Sequence, residues 1–348
     1  MSDPEAEVSE QVDPSHIMQV GMGFWASKTL LSAVELELFS ELGSDGMTGP
    51  QIAEALELHA RAIPDFPDAL VALELLEREG EGKDALYRNT QATAVFLDKR
   101  SPAYIGGIFE MSNARLYRFW GDLTEALQTG RPQNEIKHTG KPVFEELYSD
   151  PDRLEQFMSA MAGISLGAFN ALAEKFDFSS YNTLCDVGGA TGQMSIIVAN
   201  HHPHMRCTSF DLPLVEPIAK RTIEAAGLSE RVTAVGGDFF AEPLPQADVI
   251  TMGLILHDWN LEGKMHLIKA AFDALPEGGA FIAIENLIDD DRRENAFGLL
   301  MSLNMLIEFG DAFDFTGADF ARWCGEVGFE RTEVVPLAGP ASAAIAYK

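Results

Sequence analysis

Apolar residues recur at helical spacing through the first part of the chain. Residues 17–42 repeat them every three or four positions, which predicts one long amphipathic helix. The stretch Thr48-Gly49-Pro50-Gln51 has the capping-box pattern, with proline in the first turn, that opens a second helix. Residues 65–78 keep one apolar face and predict a third helix, and a turn-rich stretch then leads into 86–89, which indicates a hairpin. Three helices and a hairpin together predict a winged-helix unit.

The middle of the chain follows the same helical period and is rich in aromatic and methionine residues. Residues 101–129 and 143–176 predict helices, and the stretch 130–142, which contains glycine and proline, predicts a loop between them. Stripes of methionine and aromatic side chains at this spacing usually pack in a core or a dimer contact. We therefore interpret most of these side chains as packing residues.

The second half alternates short apolar runs with helical stretches, and each run ends in residues that can bind or react. This alternation predicts parallel strands joined by helices. The carboxyl ends of parallel strands meet at one edge of a sheet, where ligands bind in open α/β folds. Successive strand ends therefore deliver four groups to that edge: Asp186 with the glycine turn 188–192, Asp211, Asp238 with Phe239, and His257 with Asp258.

The turn Gly188-Gly189-Ala190-Thr191-Gly192 is the most informative of these signals. Glycine tolerates positive φ and has no side chain to hold a ligand away from the backbone. A dinucleotide fold would have the pattern G-x-G-x-x-G, whereas this turn reads G-G-x-x-G with Asp186 at its mouth. An acid there disfavours phosphate and suits a cationic or hydroxyl-rich ligand. Asp211 is placed to accept the hydroxyls of a ribose, and Asp238 and Phe239 are placed to bind and cover an adenine.

The charge balance narrows the classes of function. The 348 residues carry 54 acidic against 25 basic side chains, a formal net charge of −29. Such a balance argues against a nucleic-acid or anionic-membrane partner, because those surfaces attract basic patches. The third predicted helix is itself net acidic. The DNA-binding role that a winged helix can have is therefore disfavoured.

Length and cysteine content bound the organisation of the chain. A single hydrophobic core rarely organises this many residues, so two domains are expected. Cys185, Cys207 and Cys324 are widely spaced in apolar contexts, which predicts free thiols in a reducing compartment. The first residues are acidic and carry no signal-peptide pattern, and no long apolar run occurs, so we expect a soluble cytoplasmic protein without a membrane partner. Residues 1–14 are too charged to pack and are predicted to be disordered.

Several motifs occur together in one order and spacing: Asp186 to Gly192, Phe210-Asp211-Leu212-Pro213, Gly237-Asp238-Phe239-Phe240, His257-Asp258-Trp259 and Leu275-Pro276-Glu277-Gly278-Gly279. With them, residues 17–348 resemble the class I S-adenosylmethionine-dependent methyltransferases. Within that class, the similarity is to the small-molecule O-methyltransferases, which include caffeic acid and acetylserotonin O-methyltransferases. The resemblance implies an α/β fold with a C-terminal Rossmann-like seven-stranded sheet that binds S-adenosylmethionine. It also implies a mainly α winged-helix dimerisation domain and a homodimer acting on a small-molecule acceptor.

On this resemblance the chain has four parts. Residues 1–14 are the acidic tail, 15–105 the dimerisation domain, 106–176 a helical connector that contributes to the acceptor pocket, and 177–348 the catalytic domain. The residues implied in cofactor binding are Asp186, Gly188, Gly189, Asp211, Leu212, Asp238, Phe239 and Gly253. The residues implied in the acceptor pocket are Phe157, Met161, Met301, Met305 and Phe309.

His257 follows a strand end on the same edge as the cofactor acids. A hydroxyl that accepts a methyl group must lose its proton, and an imidazole, with an unperturbed pKa of about 6.5, accepts protons near neutral pH. We therefore interpret His257 as the general base; the alternative is a residue that only caps a turn. Glu285, at the next strand end, matches the family's catalytic glutamate, and Asp314 stands where the family has a second glutamate. The alternative for Asp314 is an N-cap or turn role before the helix from Thr316.

Two departures from the family pattern make the pocket less polar. Gly253 stands where many members have a lysine near the cofactor, and Phe309 stands where plant enzymes often have an asparagine. No metal site is predicted. The acidic run 289–291 beside two arginines is typical of a solvated loop, and the histidines of 201–204 lack the spacing of a zinc centre.

Two other activities remain open from the sequence. A thiol or thioether acceptor needs little deprotonation, so S-methylation would leave His257 a positioning role only. Some relatives bind the cofactor without methyl transfer and catalyse decarboxylation, hydroxylation or pericyclic steps. The presence of both His257 and Glu285 argues against that second alternative.

Overall fold

The computed structural model describes residues 12–140 and 151–348 of the chain. These residues form two compact units, with the boundary between Asn113 and Ala114. Buried apolar residues of the first unit form one cluster, and those of the second unit lie mainly on the two faces of a sheet. Most of the predicted tail 1–14 lies outside the described residues.

The first unit combines helices with a small antiparallel sheet. Its helices are α1 Ser15–Glu35, α2 Leu38–Leu42, α3 Gly49–Ala55, α4 Asp65–Ala72, α5 Gln91–Phe96 and α6 Gly106–Met111. Its strands, β1 Met47–Thr48, β2 Leu76–Glu79 and β3 Leu86–Asn89, are ordered β1-β3-β2. The predicted capping box is present, because Gln51 Oε1 accepts a hydrogen bond from Thr48 N at 2.8 Å. The predicted helices and hairpin are therefore present, together with further short helices and strand β1.

Two helices of this unit end earlier than their apolar spacing predicts. The first is interrupted at Glu37, whose left-handed backbone has a φ of 58°. The third ends at Ala72, and Glu74 is also left-handed, with a φ of 60°. Residues 76–78, predicted as the end of that helix, instead form a strand with Glu79 that pairs with 86–89 in the hairpin. A left-handed residue cannot continue a right-handed helix, and apolar periodicity does not show which residue adopts that conformation.

The helices of the second unit range from one turn to 25 residues. After a π-helical turn, Ser112–Leu116, they are α7 Tyr117–Phe119, α8 Leu123–Thr129, α9 Glu135–Thr139, α10 Pro151–Lys175, α11 Gln193–His201, α12 Glu216–Ala225, α13 Leu261–Ala274, α14 Ala296–Phe309 and α15 Gly317–Val327. The predicted loop 130–142 was wrong over α9, because Asn134 Oδ1 accepts a hydrogen bond from Ile136 N at 3.1 Å and caps a helix there. The predicted helix start at 143–150 lies outside the described residues. Among the described residues, no helix is long and apolar enough to cross a membrane.

A seven-stranded sheet organises the second unit. Its strands are β4 Thr183–Val187, β5 Arg206–Asp211, β6 Val232–Gly236, β7 Val249–Gly253, β8 Ala280–Glu285, β9 Arg331–Pro336 and β10 Ser342–Tyr347. They are ordered β6-β5-β4-β7-β8-β10-β9, and β10 runs antiparallel between β8 and β9 while the other pairs are parallel. Successive residues of each strand face opposite sides, so Leu184 and Cys185 belong to different buried clusters. The predicted seven-stranded α/β fold is confirmed.

Candidate active site

The strand order creates a topological switch point between β4 and β7. Strands β5 and β6 lie on one side of β4, whereas β7 and β8 lie on the other. The loops after β4 and β7 therefore leave the sheet in opposite directions and open a crevice at its carboxyl edge. Asp186 lies in β4, Asp211 ends β5, His257 follows β7 and Glu285 ends β8. The structure thus brings the predicted strand-end residues to one edge.

The glycine turn after β4 is closely packed against the end of β5. Gly188 N and Gly189 N both donate to Phe210 O, at 2.8 and 3.2 Å. A Cβ at Gly189 would lie 2.2 Å from Ser209 Oγ, so a side chain does not fit there. Gly188 has a φ of 71°, a left-handed backbone that favours glycine. The turn therefore meets the requirement for a ligand that approaches the backbone closely.

Two carboxylates flank this turn. Asp211 accepts hydrogen bonds from Ala190 N at 2.8 Å and from Leu212 N at 2.7 Å. Asp186 Oδ1 accepts one from Thr251 Oγ1 at 2.7 Å. Burial raises the pKa of Asp211, and burial raises the pKa of Asp186 to about 7 although the Thr251 hydroxyl opposes the shift. Because desolvated carboxylates gain most from donors and cations, the pair suits a ligand with hydroxyl groups and positive charge.

The loop after β6 carries the next two predicted cofactor residues. Asp238 Oδ1 accepts a hydrogen bond from Phe240 N at 2.8 Å. Phe239 meets the ring of Trp259 edge-on, with the ring centroids 6.0 Å apart. Trp259 also packs on Phe240, at 4.5 Å between centroids. An aromatic cluster therefore stands beside Asp238 at the carboxyl edge.

The last two predicted cofactor residues, Leu212 and Gly253, lie against α10. Leu212 packs with Ala190 and Phe157 on an apolar cluster formed by α10 and α12. A Cβ at Gly253 would lie 3.0 Å from the ring of Phe169, also on α10. Phe157, predicted in the acceptor pocket, is therefore packed on the side of the glycine turn.

His257 lies in a short 3-10 turn, Leu256–Asp258, and is 4% exposed. Its Nδ1 is 3.3 Å from Asp314 Oδ1, and its Nε2 is 3.3 Å from Asp258 Oδ1. Glu285 Oε1 accepts hydrogen bonds from Leu256 N at 3.0 Å and from His257 N at 3.4 Å. Glu285 Oε2 lies 4.0 Å from Nδ1. Asp314 is thus the hydrogen-bond partner of the ring, and Glu285 holds the backbone of the turn.

Asp314 does not cap the helix that follows it. Thr316 is the N-cap of α15, and its Oγ1 accepts a hydrogen bond from Asp319 N at 3.0 Å. Asp314 is 3% exposed, and within the described chain its Oδ2 has no hydrogen-bond partner. Its backbone N donates to Ser302 Oγ at 3.2 Å. The loop therefore lies close enough for the short aspartate side chain to reach His257.

The surrounding carboxylates change the proton affinity of the imidazole. Burial alone would lower the pKa of His257, but Glu285, Asp258 and Asp314 together raise it to about 10. Burial raises the pKa of Glu285 to about 7 and that of Asp258 to about 6, against the opposing effect of His257. The imidazole is therefore protonated at neutral pH and loses its proton as the pH becomes alkaline.

Three members of this cluster have a spacing that a metal ion could also use. His257, Glu285 and Asp314 each offer one ligand atom within 4.8 Å of the others. However, the imidazole Nδ1 and the Asp314 carboxylate are hydrogen bonded to each other at 3.3 Å. That contact engages both atoms with a proton and favours an acid-base group over a metal centre.

The predicted acceptor-pocket residues lie on two helices. Met305 of α14 is buried, and Met301 and Phe309 of the same helix are half-buried. Phe157 and Met161 are half-buried on α10. Apolar side chains of this kind suit an acceptor with an aromatic or otherwise apolar body.

Polar contacts attach α14 to neighbouring segments. Arg115 Nη2 donates to Glu135 Oε2 at 2.7 Å and to Glu308 Oε2 at 3.1 Å, which joins α14 to α9. Trp120 Nε1 donates to Asn304 Oδ1 at 2.9 Å one turn earlier on α14. The helix that carries Met301, Met305 and Phe309 is therefore attached through residues other than these three.

Two family descriptions match the chain. An O-methyltransferase domain matches residues 120–330, and an O-methyltransferase dimerisation domain matches residues 18–99. The chain belongs to this O-methyltransferase family. The match spans both of the units that the structure shows.

Similar proteins cover nearly the whole enzyme. The tetracenomycin polyketide synthesis 8-O-methyl transferase TcmO of Streptomyces glaucescens is 39% identical over 96% of this chain and 97% of its own. The 3-hydroxy-5-methyl-1-naphthoate 3-O-methyltransferase of Streptomyces sahachiroi is 33% identical over 94% of this chain and 92% of its own. The structure of human N-acetylserotonin methyltransferase in complex with S-adenosylmethionine has a TM-score of 0.88 at 28% identity, covering 98% and 99%. The protein is a S-adenosylmethionine-dependent O-methyltransferase of small molecules.

The carboxyl edge of the O-methyltransferase fits this cofactor. S-adenosylmethionine combines ribose hydroxyls, an ammonium and a sulfonium, and Asp211 and Asp186 are desolvated carboxylates beside a turn without side chains at 188 and 189. No cluster of basic side chains lies on the described turn, as a phosphate ligand would favour. The donor set therefore suits a cationic nucleoside.

Two charged residues near His257 have no role assigned by the sequence analysis. Asp258 stands in a recognised motif, but only the structure shows it at 3.3 Å from the imidazole. Lys264 has no solvent exposure and lies on the inward face of α13. A signal for it was present, because Lys264, Leu267 and Ile268 share one face at helical spacing and a lysine is exceptional there.

Proposed function

We propose that this O-methyltransferase methylates a phenolic hydroxyl on a fused aromatic acceptor, with His257 as the general base. The observation that carries the proposal is the buried contact of His257 with Asp314 at the carboxyl edge of the sheet. The edge also holds Asp211 and Asp186, which suit the cofactor. A base and a cofactor site on one sheet edge are what methyl transfer to a hydroxyl requires.

His257 would take the acceptor proton on Nε2, once the acceptor hydroxyl takes the place of Asp258 Oδ1, which lies 3.3 Å from that nitrogen. The Nδ1–H group would donate to Asp314, which fixes the tautomer and stabilises the imidazolium that forms. Glu285 would act through the backbone, since its Oε1 accepts from His257 N at 3.4 Å. S-adenosylmethionine supplies an activated methyl group on a positively charged sulfur. The hydroxyl oxygen would gain the methyl group as the methyl–sulfur bond breaks; the hydroxyl proton would pass to His257 and S-adenosylhomocysteine would leave.

The cofactor would be held by the residues at the ends of β4, β5 and β6. We assign the ribose hydroxyls to Asp211 and the adenine to Asp238 and Phe239. Asp186 and the backbone of the glycine turn would bind the amino acid part, because its ammonium would compensate the burial that raises the pKa of this carboxylate. Leu212 and Gly253 would shape the walls of the cofactor site.

The acceptor class follows from the apolar side chains and from the similar proteins. Met301, Met305 and Phe309 present an apolar surface on α14, and Phe309 replaces a polar pocket residue. TcmO and the naphthoate O-methyltransferase are named for hydroxyl groups of a polyketide and a hydroxynaphthoate. We therefore place the acceptor among flat, fused phenols of the same chemistry.

The protein would act as a homodimer. The family match to a dimerisation domain covers residues 18–99. Helix α1 exposes large apolar side chains that a second copy would cover, namely Ile17, Val20, Phe24 and Trp25. A contiguous exposed apolar face of this kind is typical of an interface.

The acceptor assignment can be tested by release of S-adenosylhomocysteine. Purified enzyme with S-adenosylmethionine would be given 3-hydroxy-5-methyl-1-naphthoate, a hydroxyanthraquinone and thiophenol, and methylated products would be identified by mass spectrometry. We expect O-methylation of at least one fused phenol. Methylation of thiophenol alone would favour the S-methyltransferase alternative, and conversion of the acceptor without added methyl would favour a non-methylating activity.

A further inference from the structure

Lys264 is a lysine without solvent exposure inside the catalytic unit. It lies on the inward face of α13 together with the buried residues Leu267, Ile268 and Ala271. Lysine is almost never fully buried unless it is paired, because removing an ammonium from water is costly. The contacts of its ammonium group therefore indicate what compensates that cost.

The ammonium of Lys264 contacts two chain segments, one that carries His257 and one that carries Asp314. Its Nζ donates a hydrogen bond to Trp259 O, two residues after His257. The same Nζ lies 3.7 Å from the centroid of the Phe313 ring, next to Asp314. A cation at this distance from an aromatic face is attracted by the ring electrons. One side chain thus joins the turn of the imidazole to the loop of its carboxylate partner.

The charges around Lys264 support the same role as these contacts. The carboxylates that face Lys264 are Glu285, Asp314, Asp258 and Asp311, and they raise its pKa, but burial outweighs them and lowers it to about 8. Around the imidazole, carboxylates outnumber cations. A buried ammonium therefore reduces the repulsion between these carboxylates in a medium that screens charge poorly.

We propose that Lys264 is a positioning residue that keeps His257 and Asp314 at hydrogen-bond distance and balances the charge of the surrounding carboxylates. The proposal deepens the proposed function, since it rests on His257 as the base. Lys264 acts through Trp259 O and the Phe313 ring and does not touch the acceptor. Small displacements of a base lower turnover strongly without weakening cofactor binding.

The test uses the full-length enzyme and two conservative variants. Lys264→Met keeps the length and apolar stem but removes the charge, whereas Lys264→Arg keeps the charge. Lys269→Met is the matched control, because Lys269 lies on the same helix with an exposed side chain paired to Asp273. Each protein would be characterised by thermal melting, by titration with S-adenosylhomocysteine and by the downfield proton NMR signal of the His257 Nδ1–H group. The signal is assigned by its loss in His257→Asn.

For Lys264→Met we expect the downfield signal to move upfield or disappear at neutral pH, with cofactor-product affinity within about twofold of the original enzyme. Turnover of the phenol found in the acceptor screen should fall about tenfold or more, and Lys264→Arg should recover part of it. Lys269→Met should match the original enzyme in every measurement. An unchanged downfield signal in Lys264→Met, or a turnover loss matched by an equal loss in Lys269→Met, would overturn the proposal.

Two further outcomes are an unfolded Lys264→Met variant and an active His257→Asn variant. If Lys264→Met does not fold, Phe313→Leu takes its place, because it removes the ring next to the ammonium and leaves all charges; an unchanged signal in that variant overturns the proposal. If His257→Asn keeps full turnover, the base assignment fails. The NMR comparison at Lys264 still decides the positioning inference, since it needs no acceptor.

Discussion

Asp314 Oδ1 lies 3.3 Å from Nδ1 of His257, although the two residues are 57 positions apart in the sequence. The contact joins the loop after α14 to the turn after β7. It is the closest carboxylate contact of Nδ1, since Glu285 Oε2 is 4.0 Å away. The orientation of the imidazole therefore depends on an aspartate from a loop distant in the sequence.

Replacing Asp314 by asparagine should change both the rate and its pH dependence. Asp314 is one of the carboxylates that raise the pKa of His257 to about 10. The base is active when deprotonated, so kcat/KM plotted against pH should rise only above neutral pH in the original enzyme. This rise is the ascending limb of the pH profile. Asp314→Asn lowers the pKa of the imidazole and should move that limb to lower pH, while the maximal kcat falls about tenfold or more. A rate profile over pH checks this, and an unmoved limb would contradict it.

His257→Asn should abolish turnover and leave the cofactor bound. Loss of a general base costs about 100- to 10,000-fold in rate, whereas His257 lies outside the strand ends assigned to the cofactor. Calorimetry with S-adenosylhomocysteine and an O-methylation assay measure the two effects separately. His201→Asn, at an exposed position on α11, is the control and should behave as the original enzyme. Full O-methylation by His257→Asn would refute the base assignment.

Asp211→Asn should weaken cofactor binding by about tenfold or more. The two oxygens of the Asp211 carboxylate accept hydrogen bonds from Ala190 N and Leu212 N, and the carboxylate also faces the proposed ribose. In asparagine only one of these two atoms can accept a hydrogen bond, and the NH₂ group in the other position repels an N–H donor. Calorimetric titration with S-adenosylhomocysteine measures the change. Asp273→Asn, an exposed carboxylate on α13, should bind normally. Equal affinity of the Asp211 and Asp273 variants would remove Asp211 from the site.

Gly189→Ala should destabilise the catalytic unit by about 1 to 3 kcal/mol, as overpacking of a closed position usually does. Its new methyl group would meet Ser209 Oγ at 2.2 Å and Asp186 O at 3.1 Å. Gly325→Ala on α15 is the matched control, because nothing lies within 4 Å of that position and alanine favours a helix. Urea unfolding of both variants gives the comparison. Equal stability would mean that the turn adjusts more freely than its packing indicates.

The double substitution Val20→Asp with Phe24→Asp should give a monomer. These residues are 68% and 52% exposed and lie one turn apart on α1, so two charges there would oppose burial against a second copy. Light scattering measures the mass. Leu127→Asp, at another exposed apolar position on α8, should leave it unchanged. A dimer that persists in the double variant would place the interface elsewhere.

The sequence was sufficient for the five parallel strands and for the edge at which they end, whereas the total of seven strands came from the family resemblance and the antiparallel β10 was not predicted. Asp211 and His257 could be placed because short apolar runs bounded by turn residues mark buried strands, and the ends of parallel strands meet. Glu37 and Glu74 could not be recognised as left-handed, since their conformation depends on contacts formed only after the chain has folded. The helices of the first unit were consequently predicted too long.

The details around the imidazole depended on three-dimensional distances. From the sequence, Asp314 had two possible roles, and a loop position alone could not decide between contact with His257 and capping of α15. Lys264 was visible as a charged residue on an apolar helix face. Its relation to Phe313 required the fold, because Phe313 lies in a segment about 50 residues further along the chain than Trp259 and Lys264.

The attachment of α14 has a consequence for how acceptor preference can change. Arg115 and Trp120 hold this helix through Glu308 and Asn304, whereas the side chains that would meet an acceptor are Met301, Met305 and Phe309. Anchoring and selectivity are thus encoded by different positions of one helix. Gene duplication followed by substitutions at the three apolar positions could yield enzymes for new aromatic skeletons while the proton-transfer machinery remains intact.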